Sequence, residues 1–126
     1  MSRNILDSSA VLAVLHQEPG SEKAISFFPD AVISSVNAAE VLTKTVEKGH
    51  SIETALRALE LLRLEIVDFD IEQAAKTAEL RPSTKQLGLS LGDRACLALT
   101  ILRNGTAVTA DRDWKKLSIC PVEVIR

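Results

Sequence analysis

A chain of 126 residues with a hydrophobic fraction of 46% can fill one core of ordinary domain size, and it reads as one domain over residues 1–126. Aromatic residues make up only 3%, which argues against a nucleic-acid binder built from stacking platforms. The net charge of −2 offers a polyanion no overall attraction.

No apolar run reaches the length of a membrane span, and the opening MSRNILD lacks the apolar stretch of a signal peptide. The two cysteines, Cys96 and Cys120, have no metal-ligand spacing. Cys96 lies in an apolar segment and reads as a small buried hydrophobe. These features lead to the expectation of a soluble, cytoplasmic protein with no membrane partner.

In chain order, Ser2–Asp7 predicts a short strand that ends in an acid. DSSAVLAVLHQE then carries Val11, Leu12 and Leu15 at helical spacing, with Asp or Ser available as N-cap, and Pro19-Gly20 stops it. Ser21–Phe28 predicts a second short helix and Ala31–Ser34 a buried strand. Ser35 is the predicted cap of the next helix, SVNAAEVLTKTVEKG, which Gly49 ends. Ser51 opens an amphipathic helix, IETALRALELLR, and pairs with it as a helical hairpin suited to interaction or to a lid.

LEIVDF, residues 64–69, predicts a third strand, and Ile71–Leu80 a helix that Arg81-Pro82 breaks. Residues 83–88 read as a polar connector. Ser90 caps a helix that runs to Arg103 and ends at Asn104-Gly105. Thr106–Ala110 is the fourth predicted strand, followed by a DRDW turn, and Pro121–Ile125 is the last. Short apolar strands alternating with helices indicate an α/β fold, with a parallel sheet of about five strands covered on both faces.

In an open α/β sheet, sites form beyond the carboxyl ends of the strands. Asp7 ends the first strand and Asp111 the fourth. Glu40 lies about one and a half turns into the helix after the second strand, and Asp93 sits in the first turn of its own helix. Four acids from four segments therefore aim at one edge. Each also has a purely structural explanation. Asp7 can cap a helix, Asp111 can begin a turn, Asp93 can complete a capping box with Ser90, and Glu40 can pair with Lys44.

Energetics separates the two explanations. Two carboxylates about 5 Å apart repel by roughly 3 kcal/mol at an effective dielectric near 20. Caps need no clustering, whereas a hard divalent cation does, and Mg²⁺ or Mn²⁺ prefers carboxylates and water. His16 and His50 stand at helix ends with no zinc-binding pattern. Setting the four acids aside turns a net charge of −2 into +2. Arg81, Lys85, Arg94, Arg112, Lys115 and Lys116 belong to segments that can reach the same edge.

Four ordered blocks, ILDSSAVLAVLHQEPG, ISSVNAAEVLTK, LSLGDRACLALT and VTADRDWKKL, resemble the PIN-domain family, specifically VapC-type toxins of toxin–antitoxin pairs. The resemblance extends over nearly the whole chain. It implies a three-layer fold with a parallel central sheet, and hydrolysis of RNA phosphodiester bonds with Mg²⁺ or Mn²⁺. Carried over, Asp7, Glu40, Asp93 and Asp111 are the catalytic acids and metal ligands, with Glu40 acting through water or as the base. Ser8 and Asn37 match positions that support the acids. Asp113 departs from the pattern of close relatives and is a candidate outer ligand. Arg94 and Arg112 are candidates for RNA contact. The resemblance also implies a homodimer and a cognate small antitoxin whose C-terminal segment occupies the groove.

Two rival classes are weaker. A receiver domain needs paired acids after the first strand and a lysine in TAVTA, and this chain has Asp7-Ser8-Ser9 and no such lysine. A phosphatase of the DxD type needs its motif after the first strand, and here DRD comes late. A non-catalytic α/β binding scaffold, its acids serving as caps, is the remaining alternative.

Overall fold

Alternation places the core on both sides of a short sheet. The computed structural model describes residues 3–126; Ser2, the predicted start of the first strand, lies outside them. The strands are β1 (Asn4–Leu6), β2 (Val32–Ser34), β3 (Glu65–Val67), β4 (Thr106–Thr109) and β5 (Val122–Val124). They form one sheet in the order β3-β2-β1-β4-β5, every neighbouring pair parallel.

Successive residues of each strand face opposite layers. Leu6, Ile33 and Val108 pack into one core with Val11 and Val41. Ile5, Val32 and Ala107, which stand in register, pack into the other with Leu97, Leu99 and Trp114. The first layer is built by α1 (Ser8–Leu15), α2 (Ser21–Ile25), α3 (Ser35–Glu47) and α4 (Ile52–Leu61). The second is built by α5 (Ile71–Glu79), α6 (Arg81–Thr84), α7 (Leu91–Leu102) and a 3₁₀ turn at Arg112–Lys116. Trp114, fully buried, pins that turn to the second core.

The chain moves outward from β1 to β2 and β3, then returns to β4 on the other flank of β1. The order reverses between β1 and β4, which is where such sheets open a crevice at their carboxyl ends. Asp7 and Asp111 follow those two strands.

Several predicted bounds change. Strands are one to three residues shorter than their apolar runs, and the second helix stops at Ile25. The cap of α3 is Ser34, whose Oγ accepts from Val36 N at 3.2 Å; Ser35 instead accepts from Phe69 N at 3.1 Å. Arg81-Pro82 does end α5, but it also starts α6, because a proline in the first helical turn gives up no hydrogen bond. The predicted connector over residues 83–88 is therefore helical at its beginning. Ser51 caps α4 as expected, and its Oγ accepts from Thr54 N at 3.1 Å. Among the described residues, no helix is long and apolar enough to cross a membrane.

Candidate functional site

Asp7 begins where β1 ends, held by its N–H donating to Val108 O at 2.9 Å. It occupies the N-cap position of α1, yet its side chain makes no capping bond. The carboxylate instead turns into the protein and is 3% exposed. Ser9 Oγ donates to Asp7 Oδ2 at 2.6 Å, and Thr109 Oγ1 donates to the same oxygen at 2.9 Å. Each hydroxyl has one hydrogen to give, so both are committed to Asp7. Their lone pairs are used as well: Ser9 Oγ accepts from Ala110 N at 2.9 Å and Thr109 Oγ1 from Asp111 N at 3.1 Å. The two hydroxyls thus tie the end of β1 to the backbone that leads into Asp111.

Asp7 Oδ1 is buried with no hydrogen-bond partner. Burial pushes the carboxyl up from 3.8 to about 6; the Ser9 and Thr109 hydroxyls oppose this, while the charges of Asp93 and Glu40 add to it. An unpartnered buried oxygen facing two further acids is a costly arrangement that a cation would relieve.

Asp93 realises the predicted capping box of α7. Ser90 N donates to Asp93 Oδ2 at 2.9 Å, and Asp93 N donates to Ser90 Oγ at 3.1 Å. Its carboxyl is also pushed up, chiefly by burial; the two Ser90 bonds lower it, and Glu40 and Asp111 raise it. Glu40 is positioned from α3. Asn37, fully buried one turn earlier, donates from Nδ2 to Glu40 Oε1 at 2.9 Å and to the Gly92 carbonyl at 3.1 Å. One amide group therefore joins α3 to α7. Gly92 completes the fit, because a Cβ there would lie 2.2 Å from Glu40 Oε2. Asp111 Oδ1 accepts from Asp113 N at 2.9 Å and so caps the 3₁₀ turn.

The four acids sense one another as charges, Asp7 with Asp93 and Glu40, and Asp93 with Glu40 and Asp111. Among the described residues, however, no group of three or more His, Cys, Asp or Glu forms a ready-made metal cage. The donor set still fits a hard cation: it is all carboxylate, and one oxygen of Asp7 is buried and unsatisfied.

Other predicted residues fall elsewhere. Asp113 is exposed and pairs with Lys116 at 3.1 Å. Arg94 is half-buried, and its Nη1 donates to Thr77 O at 3.0 Å, which ties α7 to α5. Arg112 Nε donates to Arg126 O at 2.9 Å. Ser8 makes no bond to Asp7; it lines a groove of about 400 Å³ between α1 and α3, together with Leu12, Val36, Glu40 and Lys44. Lys44 pairs with Glu47 at 3.6 Å, and the Glu40–Lys44 pair that the spacing allows does not form. His16 and His50 line a separate cavity. Both cysteines are free, and burial pushes the Cys120 thiol up to about 11.

Sequence reasoning missed Ser9 and Thr109. Each lies two residues from an acid that follows a strand, Ser9 after Asp7 and Thr109 before Asp111, and that spacing is the only signal of their role.

No curated protein matches the chain. Its fold does match solved structures. DNA-bound VapBC from Salmonella typhimurium is 21% identical, covers 100% of both chains and gives a TM-score of 0.79. VapBC2 from Rickettsia felis, bound to a promoter DNA fragment, is 24% identical, covers 96% of this chain and 97% of that one and gives 0.73. VapBC-5 from Mycobacterium tuberculosis, of the VapBC family of toxin–antitoxin systems, is 25% identical, covers 100% and 99% and gives 0.66. The PIN domain family model matches residues 5–119, a span from β1 past the 3₁₀ turn that takes in all four acids. On that match, and with a sheet that reverses its strand order where those acids gather, the chain belongs to the PIN domain family.

Proposed function

We propose that this protein is the toxin of a VapBC-type pair, a cytoplasmic endoribonuclease that depends on Mg²⁺ or Mn²⁺. The observation that carries the reading is Asp7: a carboxylate buried at the sheet's reversal, with one oxygen unpartnered and two further acids repelling it. Asp7, Asp93 and Asp111 would hold the cation. Bound there, it supplies Lewis-acid chemistry, activating water and offsetting charge on the scissile phosphodiester.

The chain's own residues do the rest. Ser9 and Thr109 fix the Asp7 carboxylate, and the capping box fixes Asp93. Asn37 holds one oxygen of Glu40, leaving the other to accept the proton of the attacking water or to bind the cation through water. The groove of about 400 Å³ beside Ser8 and Glu40 suits the C-terminal segment of a small antitoxin, and the toxin would act as a homodimer. Its relatives from Salmonella typhimurium and Rickettsia felis are VapBC complexes, which supports the pairing.

The test is RNA cleavage in millimolar Mg²⁺. Asp7→Asn should abolish it, by at least about a thousandfold, with the fold retained. Cleavage that survives this substitution would refute the assignment. A second reading, a non-catalytic scaffold, is favoured by one observation: Asp93 and Asp111 both spend an oxygen on capping. Calorimetric titration with Mg²⁺ separates the two, because a scaffold takes up no cation.

A further inference from the structure

Beyond the carboxyl ends of β4 and β5 lies a cavity of about 330 Å³ lined by Lys23, Arg112, Lys115, Val124, Ile125 and Arg126. Four of its six lining residues carry cationic side chains, and none carries an acidic one. Main-chain oxygens fix two of them: Arg112 Nε donates to an oxygen of Arg126, the last residue of the sequence, at 2.9 Å, and Arg126 Nη1 donates to Pro19 O at 2.8 Å. Glu18 pairs with Arg126 Nη1 at 3.7 Å. Among the described residues, Lys23 and Lys115 enter no ion pair, whereas the neighbouring Lys116 is taken by Asp113.

A chain of net charge −2 has therefore gathered four positive charges around one concavity. All four are exposed, and a cluster of this kind attracts an anion from solution. The location narrows the anion's identity. Arg112 directly follows Asp111, so the cavity borders the acid cluster on its β4–β5 side. The acids gather where β1 meets β4, and the cations lie one strand further out along the same edge. A polyanion crossing that edge would meet both the acids and the cations.

We propose that this cavity binds the sugar–phosphate backbone of RNA next to the cleavage point. The proposal rests on the nuclease reading above for its choice of ligand, and its readout does not depend on catalysis. The fixed guanidiniums of Arg112 and Arg126 set the position, and the lysines add charge without base selectivity.

The experiment measures binding of a fluorescein-labelled twelve-nucleotide polyuridine to the full chain by anisotropy in EDTA. Lys23→Gln with Lys115→Gln should weaken binding about tenfold and flatten the dependence of log K on log salt by about 1.4, for two contacts on a single strand. Lys23→Arg with Lys115→Arg should restore both. The same charge removed from the helical hairpin, Lys48→Gln with Arg57→Gln, should weaken binding less than about threefold. Equal losses in the two neutralised pairs, or no loss in the first, would overturn the proposal, as would displacement of the RNA by polyglutamate of matched charge. If the lysine pair behaves as expected while Asp7→Asn still cleaves, the nuclease assignment fails and the cavity stands. If cleavage needs Asp7 while the lysine pair changes nothing, the cavity alone fails.

Discussion

Two helices begin with an acid at the same sheet edge, and they use it in opposite ways. At the start of α7, Asp93 and Ser90 exchange side-chain and backbone bonds, so the carboxylate serves the helix that carries it. At the start of α1, Asp7 leaves the helix uncapped and turns inward to two hydroxyls from separate segments. The Ser90 bonds and the helix dipole favour the charge on Asp93, although burial and the neighbouring acids push its carboxyl up as well. Asp7 keeps its charge against burial and against neighbouring acids. A position that sacrifices a cap worth about 1 kcal/mol to bury a carboxylate serves something other than stability.

That contrast can be broken most forcefully by removing the charge of Asp7. The folded value of about 6 lies above the unfolded 3.8, so the native state binds the proton more tightly. The stabilisation this gives is complete below the unfolded value and is lost as pH rises through about 6. At pH 8 the ionised group costs up to about 3 kcal/mol. Asp7→Asn should therefore stabilise the metal-free protein at pH 8 by up to that amount, with the gain vanishing near pH 4, as read by urea denaturation in EDTA. A loss of stability at pH 8 would make Asp7 an ordinary structural acid.

Ser9→Ala comes next. It removes a hydrogen bond that lowers the Asp7 value and strands the Ala110 N–H, so it should cost about 2 kcal/mol at pH 8 and less at pH 5. A cost that does not change with pH would mean that Asp7 does not depend on the hydroxyl.

Gly92→Ala separates geometry from stability. The added Cβ meets only the Glu40 carboxylate, the far end of a flexible side chain, within 2.6 Å. Alanine is the better helix former by up to about 1 kcal/mol, so the melting temperature should hold or rise. Cleavage should fall about tenfold as Glu40 is displaced. Unchanged cleavage would remove Glu40 from the chemistry. The smallest effect belongs to the capping box: Ser90→Ala should cost about 1 kcal/mol, and a thermal melt that shows no loss would remove the proposed difference between the two helix starts.

Much of this is legible in the sequence. Apolar runs such as AVIS and TAVTA have no reading as surface helices, and the acids that follow them point where a parallel sheet opens. The Ser90–Asp93 capping box was legible because its spacing is its geometry. Adjacent serines were not. Ser34 and Ser35 are chemically equal, and only the extended backbone of Ser34 makes it the cap. Ser8 and Ser9 pose the same difficulty, since the first turn of α1 decides which hydroxyl reaches Asp7. Arg94 looked free to meet a ligand because its partner, the Thr77 carbonyl, is a backbone atom 17 residues away that no sequence pattern announces. Thr109 escaped notice for a related reason: its bond to Asp7 spans 102 residues.

That last separation has a consequence for how the protein comes into being. β1 is central, and its second neighbour, β4, is synthesised long after it. During translation the first 105 residues can pair β1 with β2 and β2 with β3, but one edge of β1 stays open, and Asp7 lacks both the Thr109 hydroxyl and Asp111. A chain interrupted before β4 therefore carries no assembled site. The order of the strands thus makes the site depend on two distant stretches of chain, and the acids come together only once β4 has joined β1.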